Sequence, residues 1–107
     1  MKNLKEFINL VENDEFIEAH EVLEHDWLNF KKTAQLEKAK LYKGLINGAT
    51  SIALYKMNRS KRAVDITWGA FTKHKPLVSH IPKENEIHFL DAISLIERKQ
   101  KEIVKSI

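Results

Sequence analysis

Apolar residues recur along this chain every three or four positions, which is the spacing of one face of an α-helix. No stretch of useful length alternates apolar and polar residues, as a half-buried strand would. Only three glycines and two prolines interrupt the pattern. The pattern therefore predicts an all-α fold, a single compact bundle of about five helices that forms one helical domain over residues 1–107.

Short polar stretches separate the predicted helices. We expect helices over residues 2–12, 15–30, 35–57, 61–73 and 85–106. Asp14 and Ser60 are the candidate N-caps of the second and fourth helices, because their side chains can accept hydrogen bonds from backbone amides. Both prolines fall in residues 74–84, the longest predicted loop. The predicted core side of the last helix consists of Ile87, Leu90, Ile93 and Ile96.

The second helix carries the two most informative residues, His20 and Glu24. Four positions along a helix separate them by about 40° around its axis. Apolar residues flank the pair on both sides, namely Phe16, Leu23 and Trp27 on one side and Ile17 and Leu28 on the other. We therefore expect both side chains to face the bundle interior, where polar groups must satisfy one another.

The pair has two interpretations. In the structural one, Glu24 accepts a hydrogen bond from one ring nitrogen of His20 and the pair only fixes the core. In the functional one, the two residues line a catalytic or binding pocket. His20 is then a base or metal ligand, and Glu24 is its orienter or co-ligand. Glu21 and Trp27 are the candidate binding residues beside the pair, although Trp27 also suits a core position.

A divalent metal is the candidate cofactor, because a His and a carboxylate four residues apart share a helix face in known metal sites. The zinc-protease run His-Glu-x-x-His is not present. Glu24 occupies its fifth position, and His25 points about 140° away from His20. Further ligands would have to come from another helix. The remaining histidines, His74, His80 and His88, are not spaced as a compact site.

Charge is distributed unevenly along a chain whose formal net charge is +3. Residues 1–30 hold two lysines and eight acids, whereas residues 31–75 hold eleven Lys or Arg and two acids. We expect these two segments to attract each other within the fold. The alternative is an acidic partner for the basic middle. Nucleic acid is the disfavoured partner, because few aromatic residues accompany the basic ones.

The remaining features narrow the class of protein. The sequence has no cysteine, no apolar leader segment and no membrane-length apolar run, so we expect a cytoplasmic protein without membrane contact. Gly44 and Gly48 lie four apart in the third helix, where each costs roughly 1 kcal/mol against alanine. Close approach of a neighbouring helix is the expected reason.

The run from Phe16 to Trp27 resembles the signature of the bacterial and archaeal domain of unknown function 309 family. That signature is a phenylalanine, then Ala-His-Glu-x-x-Glu, then a tryptophan. Residues 41–49 are similar to the family's Gln-Gly-Leu-Ile-Gln-Leu-Ala helix, and residues 58–63 to its Gly-Asn-x-x-Gly-Ala turn. Departures occur at Lys43, where Gln is usual, and at Met57 and Arg62, where Gly is usual.

This resemblance covers roughly residues 14–75. It implies a small helical bundle and no assigned activity, and it draws attention to His20, Glu21, Glu24 and Trp27.

These observations support two hypotheses about function. The first is a small-molecule or metal-binding site on the His20 and Glu24 helix, with hydrolysis as the candidate reaction. The second is a non-enzymatic interaction protein whose basic middle, residues 31–75, meets an acidic protein or nucleic acid. The sequence leaves open whether the chain is an enzyme and whether it forms a homo-oligomer. An open cavity at His20 favours the first hypothesis; a dry, fully paired His20 with a continuous basic face favours the second.

Overall fold

Five α-helices account for the apolar periodicity of the sequence. The computed structural model describes residues 2–104, and no strand occurs among them. The helices are α1 (Lys2–Glu12), α2 (Phe16–Lys32), α3 (Leu36–Lys56), α4 (Lys61–His74) and α5 (Lys83–Ile103). A short 3₁₀ helix, Lys75–His80, joins α4 to α5. The all-α prediction and the number of helices are confirmed.

The largest boundary error concerns the predicted loop over residues 74–84. Most of this stretch is helical: α4 continues to His74, the 3₁₀ helix follows, and α5 begins at Lys83 directly after Pro82. Pro76 lies at the start of the 3₁₀ helix, where the missing amide of proline breaks no internal hydrogen bond. The predicted end of the last helix at Ser106 lies outside the described residues.

The first three helices end in turns of the same construction. In each turn one residue has a left-handed backbone conformation, with φ of 61° at Asp14, 60° at Ala34 and 57° at Asn58. That residue donates to the carbonyl three positions earlier, and the next residue donates to the carbonyl five positions earlier. This is the Schellman pattern, which satisfies the last carbonyls of a helix.

The two predicted helix caps have different outcomes. Asp14 is not the N-cap of α2; that position belongs to Glu15, whose side chain forms no capping hydrogen bond. Asp14 instead supplies the left-handed residue of the first turn. The Ser60 cap is confirmed, because its hydroxyl accepts from the backbone amide of Ala63 at 3.2 Å.

Helix α3 forms the centre of the bundle. It packs against α2, α4 and α5, whereas α1 packs against α2 and α5. Its buried residues surround the helix: Ala39, Leu41, Tyr42, Gly44, Leu45, Ile46, Gly48, Ala49, Ser51, Ile52 and Ala53. Even so, no helix within residues 2–104 is both long and apolar enough to cross a membrane.

The two glycines of α3 lie where neighbouring helices approach it closely. A Cβ atom at Gly44 would lie 3.0 Å from Cβ of His74 in α4. A Cβ atom at Gly48 would lie 3.0 Å from both Cγ2 of Ile96 in α5 and Cδ1 of Phe71 in α4. The predicted close approach of neighbouring helices is confirmed.

Helix α5 buries a different face from the one predicted. Ile93 and Ile96 are buried, but Ile87 is 56% exposed and Leu90 is 39% exposed. Phe89 is buried instead and packs edge-on against Tyr42, with 5.5 Å between ring centroids. This aromatic contact orients the start of α5 so that Ile87 and Leu90 face outward.

Candidate functional site

Helix α2 turns a narrower face to the core than its sequence suggested. Phe16, Ala19 and Leu23 are buried. Ile17 is 48% exposed and Leu28 is 43% exposed, so one of the two flanks that defined the predicted apolar face lies at the surface. The expectation that His20 and Glu24 face the bundle interior is therefore wrong. Both residues lie at the edge of the buried face.

The predicted contact between the two side chains is confirmed. His20 Nε2 lies 2.8 Å from Oε1 of Glu24, and the two side chains are 30% and 48% exposed. The other ring nitrogen, Nδ1, lies 2.9 Å from the carbonyl oxygen of Ile17 in the preceding turn. The His20 ring thus contacts both the preceding turn of α2, at Ile17, and the following turn, at Glu24.

Both neighbours of the His20 ring are hydrogen-bond acceptors. A ring with one proton can donate to only one of them, whereas the doubly protonated ring can donate to both. A neutral ring keeps one lone pair, and in the observed rotamer that lone pair faces either Glu24 or the Ile17 carbonyl rather than open solvent. His20 could act as a base only after Nε2 separates from Glu24.

As a metal site, the pair supplies part of a ligand set. The bond from Nδ1 to the Ile17 carbonyl matches the outer contact that usually fixes a metal-binding imidazole, and Nε2 and Glu24 would then be the ligands. Zinc sites in proteins use three or four protein ligands. Within residues 2–104, no group of three His, Asp or Glu side chains is arranged to hold a metal ion. The other ligands would have to be water or another molecule.

The two candidate binding residues occupy different environments. Glu21 is exposed to solvent. Trp27 is half-buried and packs against the hydrophobic core. Two ammonium groups approach its ring: Lys43 Nζ of α3 at 4.2 Å and Lys31 Nζ of α2 at 5.3 Å from the centroid. Lys43, a departure from the family pattern, thus replaces a neutral side chain by a cation beside Trp27.

Lysines of α3 contact α2 through its aromatic rings. Lys56 lies 5.5 Å from the ring centroid of Phe16, and Lys38 lies 5.5 Å from that of Phe30. With Lys43 over Trp27, three lysines of α3 rest on three aromatic residues of the acidic helix. Such contacts contribute about 0.5–1 kcal/mol each at exposed sites.

The expected attraction between the acidic and basic segments does not take the form of ion pairs. Within residues 2–104, no ion pair joins the segment 1–30 to the segment 31–75. The acids at the first turn are paired with α5 instead, Glu12 with Arg98 and Asp14 with Lys99. Charge attraction between the segments is visible at Asp14, where Lys56 adds to the effect of Lys99 in lowering the carboxyl pKa.

Most basic residues of the middle segment have no carboxylate partner in the described part of the chain. Of its eleven Lys and Arg residues, two form ion pairs, Lys61 with Asp65 and Lys75 with Glu97. Positive charge also affects His74, where burial, Lys73 and Lys40 all lower the pKa of the imidazole. Sequence reasoning missed His74 as a close neighbour of α3, because only the contact at Gly44 reveals it.

A sequence comparison identifies the family. The family described as a domain of unknown function (DUF309) matches residues 4–66, more than half of the chain. The chain belongs to the DUF309 family. No curated protein and no solved structure matched the chain in the corresponding comparisons.

The structure explains part of the DUF309 resemblance. Asn58 adopts the left-handed conformation that closes α3, and asparagine tolerates that conformation better than most residues. Met57, at a position where the family usually has glycine, has a φ of −87° that any residue can adopt. That departure therefore introduces no backbone strain.

Proposed function

We propose that this DUF309 chain is a non-enzymatic interaction protein whose basic middle segment, residues 31–75, binds an acidic protein. The observation that carries the proposal is the distribution of ion pairs. Nine of the eleven basic residues in this segment form no ion pair within residues 2–104. A compact protein with this much uncompensated charge on consecutive helices attracts acidic partners.

The state of His20 also supports this proposal. Both ring nitrogens face acceptors in the same helix, as expected for a pair that fixes local structure. The His20 side chain is 30% exposed and is therefore not dry; the support comes from the position of both ring nitrogens against groups of their own helix.

The placement of aromatic residues favours an acidic protein over nucleic acid. Phe71 is buried, and Trp68 packs against it with 4.7 Å between ring centroids. These rings serve the core rather than forming an exposed platform on which bases could stack. Ile66 is 60% exposed among basic residues of α4, which suits an amphipathic protein surface.

Binding of labelled polyglutamate to the full chain tests the proposal. Fluorescence anisotropy should show binding at about 50 mM salt that weakens strongly by about 200 mM, because screening reduces attraction between exposed charges. The variant Arg59→Gln/Arg62→Gln/Lys73→Gln should bind about tenfold more weakly or worse.

A matched variant controls for loss of charge as such. Lys5→Gln/Lys83→Gln/Lys101→Gln removes three exposed lysines outside the basic middle and should bind more tightly than the first variant. Equal losses in both variants would refute a role for residues 31–75 in particular. Tight, salt-resistant binding of one nucleic-acid sequence would show that the partner is nucleic acid and not an acidic protein.

A second candidate function is a small-molecule or metal-binding site on α2. It is supported by the exposure of His20 and Glu24 and by the two lysines that flank the neighbouring Trp27. Metal analysis of protein purified without a histidine tag tests the metal version. A stoichiometric metal that is lost in His20→Ala and Glu24→Gln would support it, and metal-free protein that binds no added Zn²⁺ would refute it.

A further inference from the structure

The outer surface of α4 carries a stripe of four exposed residues. Arg62, Ile66, Gly69 and Lys73 follow the spacing i, i+4, i+7, i+11, which keeps them within about 60° of one another around the helix. We call them the α4 stripe. Basic residues occupy its two ends, and Ile66, which is 60% exposed, lies inside with Gly69. The charges and the isoleucine together suit an acidic, partly apolar partner.

Gly69 has no role within the chain that the described contacts explain. A Cβ atom at this position would meet nothing within 4 Å, in contrast to Gly44 and Gly48. A glycine inside a helix costs about 1 kcal/mol relative to alanine. Its structural benefit is that another backbone can approach closely. At the exposed Gly69, that backbone would belong to another molecule.

A stripe of the same spacing lies on the exposed side of α2. Ile17, Glu21, Glu24 and Leu28 also follow i, i+4, i+7, i+11, and we call them the α2 stripe. Its ends are apolar and half exposed, and its middle is acidic. The α2 stripe is thus negatively charged, whereas the α4 stripe is positively charged. Neither stripe is joined to the other by an ion pair within residues 2–104.

We propose that the α4 stripe binds the α2 stripe of a second copy of this chain. This inference rests on the proposed function and names the acidic partner. In an antiparallel alignment with Leu28 opposite Ile66 of the second copy, the residue seven positions earlier, Glu21, lies opposite Lys73. Leu28 then meets Ile66 and Glu21 faces Lys73, whereas Arg62 lies opposite Lys32, so the attraction comes from the end of the contact that holds Glu21 and Lys73. Gly69 lies three residues after Ile66, about one helical turn further along α4, and lets the two helices approach closely.

The geometry of this contact determines the form of the assembly. The two stripes lie on different helices, so the contact is heterologous: each copy uses its α4 stripe toward one neighbour and its α2 stripe toward another. Such contacts build rings or open chains. With four residues on each side, we expect the contact to belong to the weak, transient class.

Sedimentation velocity of the full chain over a concentration series tests the proposal. The weight-average mass should rise with concentration up to about 1 mM at low salt and fall back toward the monomer as salt screens the charges. Glu21→Lys and Lys73→Glu should each weaken the association about tenfold or more, because each places like charges opposite one another.

Mixing the two variants provides the decisive control. In the mixture, the new lysine of Glu21→Lys faces the new glutamate of Lys73→Glu, so association should return to the wild-type level. Restored association cannot arise if either variant has failed to fold. Variants that associate like the wild type, or a mixture that stays monomeric, would overturn the proposed contact.

The outcomes also separate this inference from the proposed function. A chain that remains monomeric at all concentrations while binding polyglutamate would overturn self-association and leave an acidic partner of another kind. A chain that associates but binds no polyglutamate would overturn general binding of acidic proteins and leave recognition of the α2 stripe alone.

Discussion

The ammonium group of Lys99 lies 2.7 Å from Oδ1 of Asp14 and 3.1 Å from the carbonyl oxygen of Glu12. Lys99 belongs to α5, and the two acceptors belong to the end of α1 and the turn that follows it. The lysine side chain is only 11% exposed, so its contacts are less screened than those of a surface pair. Lys99 thereby ties the last helix to the first turn.

Replacing Lys99 by methionine should remove this tie with little loss of apolar packing. We expect the free energy of unfolding at neutral pH to fall by about 1 kcal/mol. Urea melts measure the change, and Lys101→Met, at an exposed lysine of the same helix, is the control. The hydrogen bond from Lys99 lowers the pKa of Asp14. This contribution is present above the ordinary carboxyl pKa and is lost as the pH falls below it, so wild type and variant should converge in acid.

Replacing Glu24 by alanine should change stability little. The sequence alone suggests a loss of about 1–3 kcal/mol for a buried imidazole deprived of its acceptor. At the observed exposures of 30% and 48%, the pair behaves as a helix surface pair, for which about 0.5 kcal/mol or less is expected. Thermal melts of Glu24→Ala and Glu24→Gln decide between the two values. A loss above about 1 kcal/mol would mean that His20 is more dependent on Glu24 than its exposure indicates.

Replacing Ala34 by glycine should stabilise the protein, the reverse of the usual effect. Ala34 has a φ of 60°, a conformation that costs an L-residue roughly 1–2 kcal/mol and costs glycine almost nothing. Glycine also makes the unfolded chain more flexible, which offsets part of this benefit. We therefore expect the free energy of unfolding to rise by about 0.5 kcal/mol. Ala70→Gly, inside α4, is the matched control and should lose about 1 kcal/mol. Denaturant midpoints of the two variants that shift in the same direction would contradict this account.

The glycines of α3 and α4 should respond oppositely to substitution. Gly48→Leu should lower the free energy of unfolding by about 1–3 kcal/mol or more, because Ile96 and Phe71 leave no room for a branched side chain. Gly48→Ala should lower it less. Gly69→Ala should raise the stability of the monomer by about 0.5–1 kcal/mol, since its Cβ enters open space. Thermal melts at low protein concentration measure both effects. Equal melting of Gly48→Leu and Gly48→Ala would show that close packing is not the reason for that glycine.

Tyr42 should make the protein sensitive to alkaline pH. Burial, and secondarily the charge of Asp26, raises the pKa of Tyr42 from 10.0 to about 12. Because the folded protein resists ionisation of this phenol, its contribution to stability is complete below pH 10 and is lost as the pH rises toward 12. Tyr42→Phe should flatten the decline of unfolding free energy over this interval. Tyr55→Phe leaves Tyr42 in place and should keep the wild-type decline.

The sequence predicted those parts of the fold that depend on local periodicity. The helices, the Ser60 cap and the close contact at Gly48 all follow from residue spacing or from the cost of a glycine in a helix. Hydrophobicity did not distinguish the apolar residues inside a buried helix face from those that lie beside it at the surface. Ile17 and Leu28 suit a core face by composition, yet the direction in which α3 packs on α2 leaves both at the surface. The same error affected Ile87 and Leu90, because the contact between Tyr42 and Phe89 is visible only in three dimensions.

The candidate site, like the fold, could be predicted from the sequence only in part. The contact between His20 and Glu24 could be predicted, since four residues on a helix fix their separation. The second contact of His20, to the Ile17 carbonyl, depends on the rotamer of the ring and could not. Nor could the sequence distinguish internal charge compensation from an external partner. Long side chains such as Lys43 and Lys56 reach aromatic rings as readily as carboxylates, and only the coordinates show which they contact.

The three repeated turns have a consequence for the order in which the chain folds. They connect α1 to α4 through links of a few residues, so most early helix pairs form between sequence neighbours, and such contacts form fast. Helix α5 is different: its bond from Arg98 to Glu12 joins residues 86 positions apart. Closing so long a loop has a larger entropic cost than closing any of the three turns. The first four helices can therefore assemble while α5 is still being synthesised, whereas the contacts of α5 with the first turn must wait until Arg98 and Lys99 have been added to the chain.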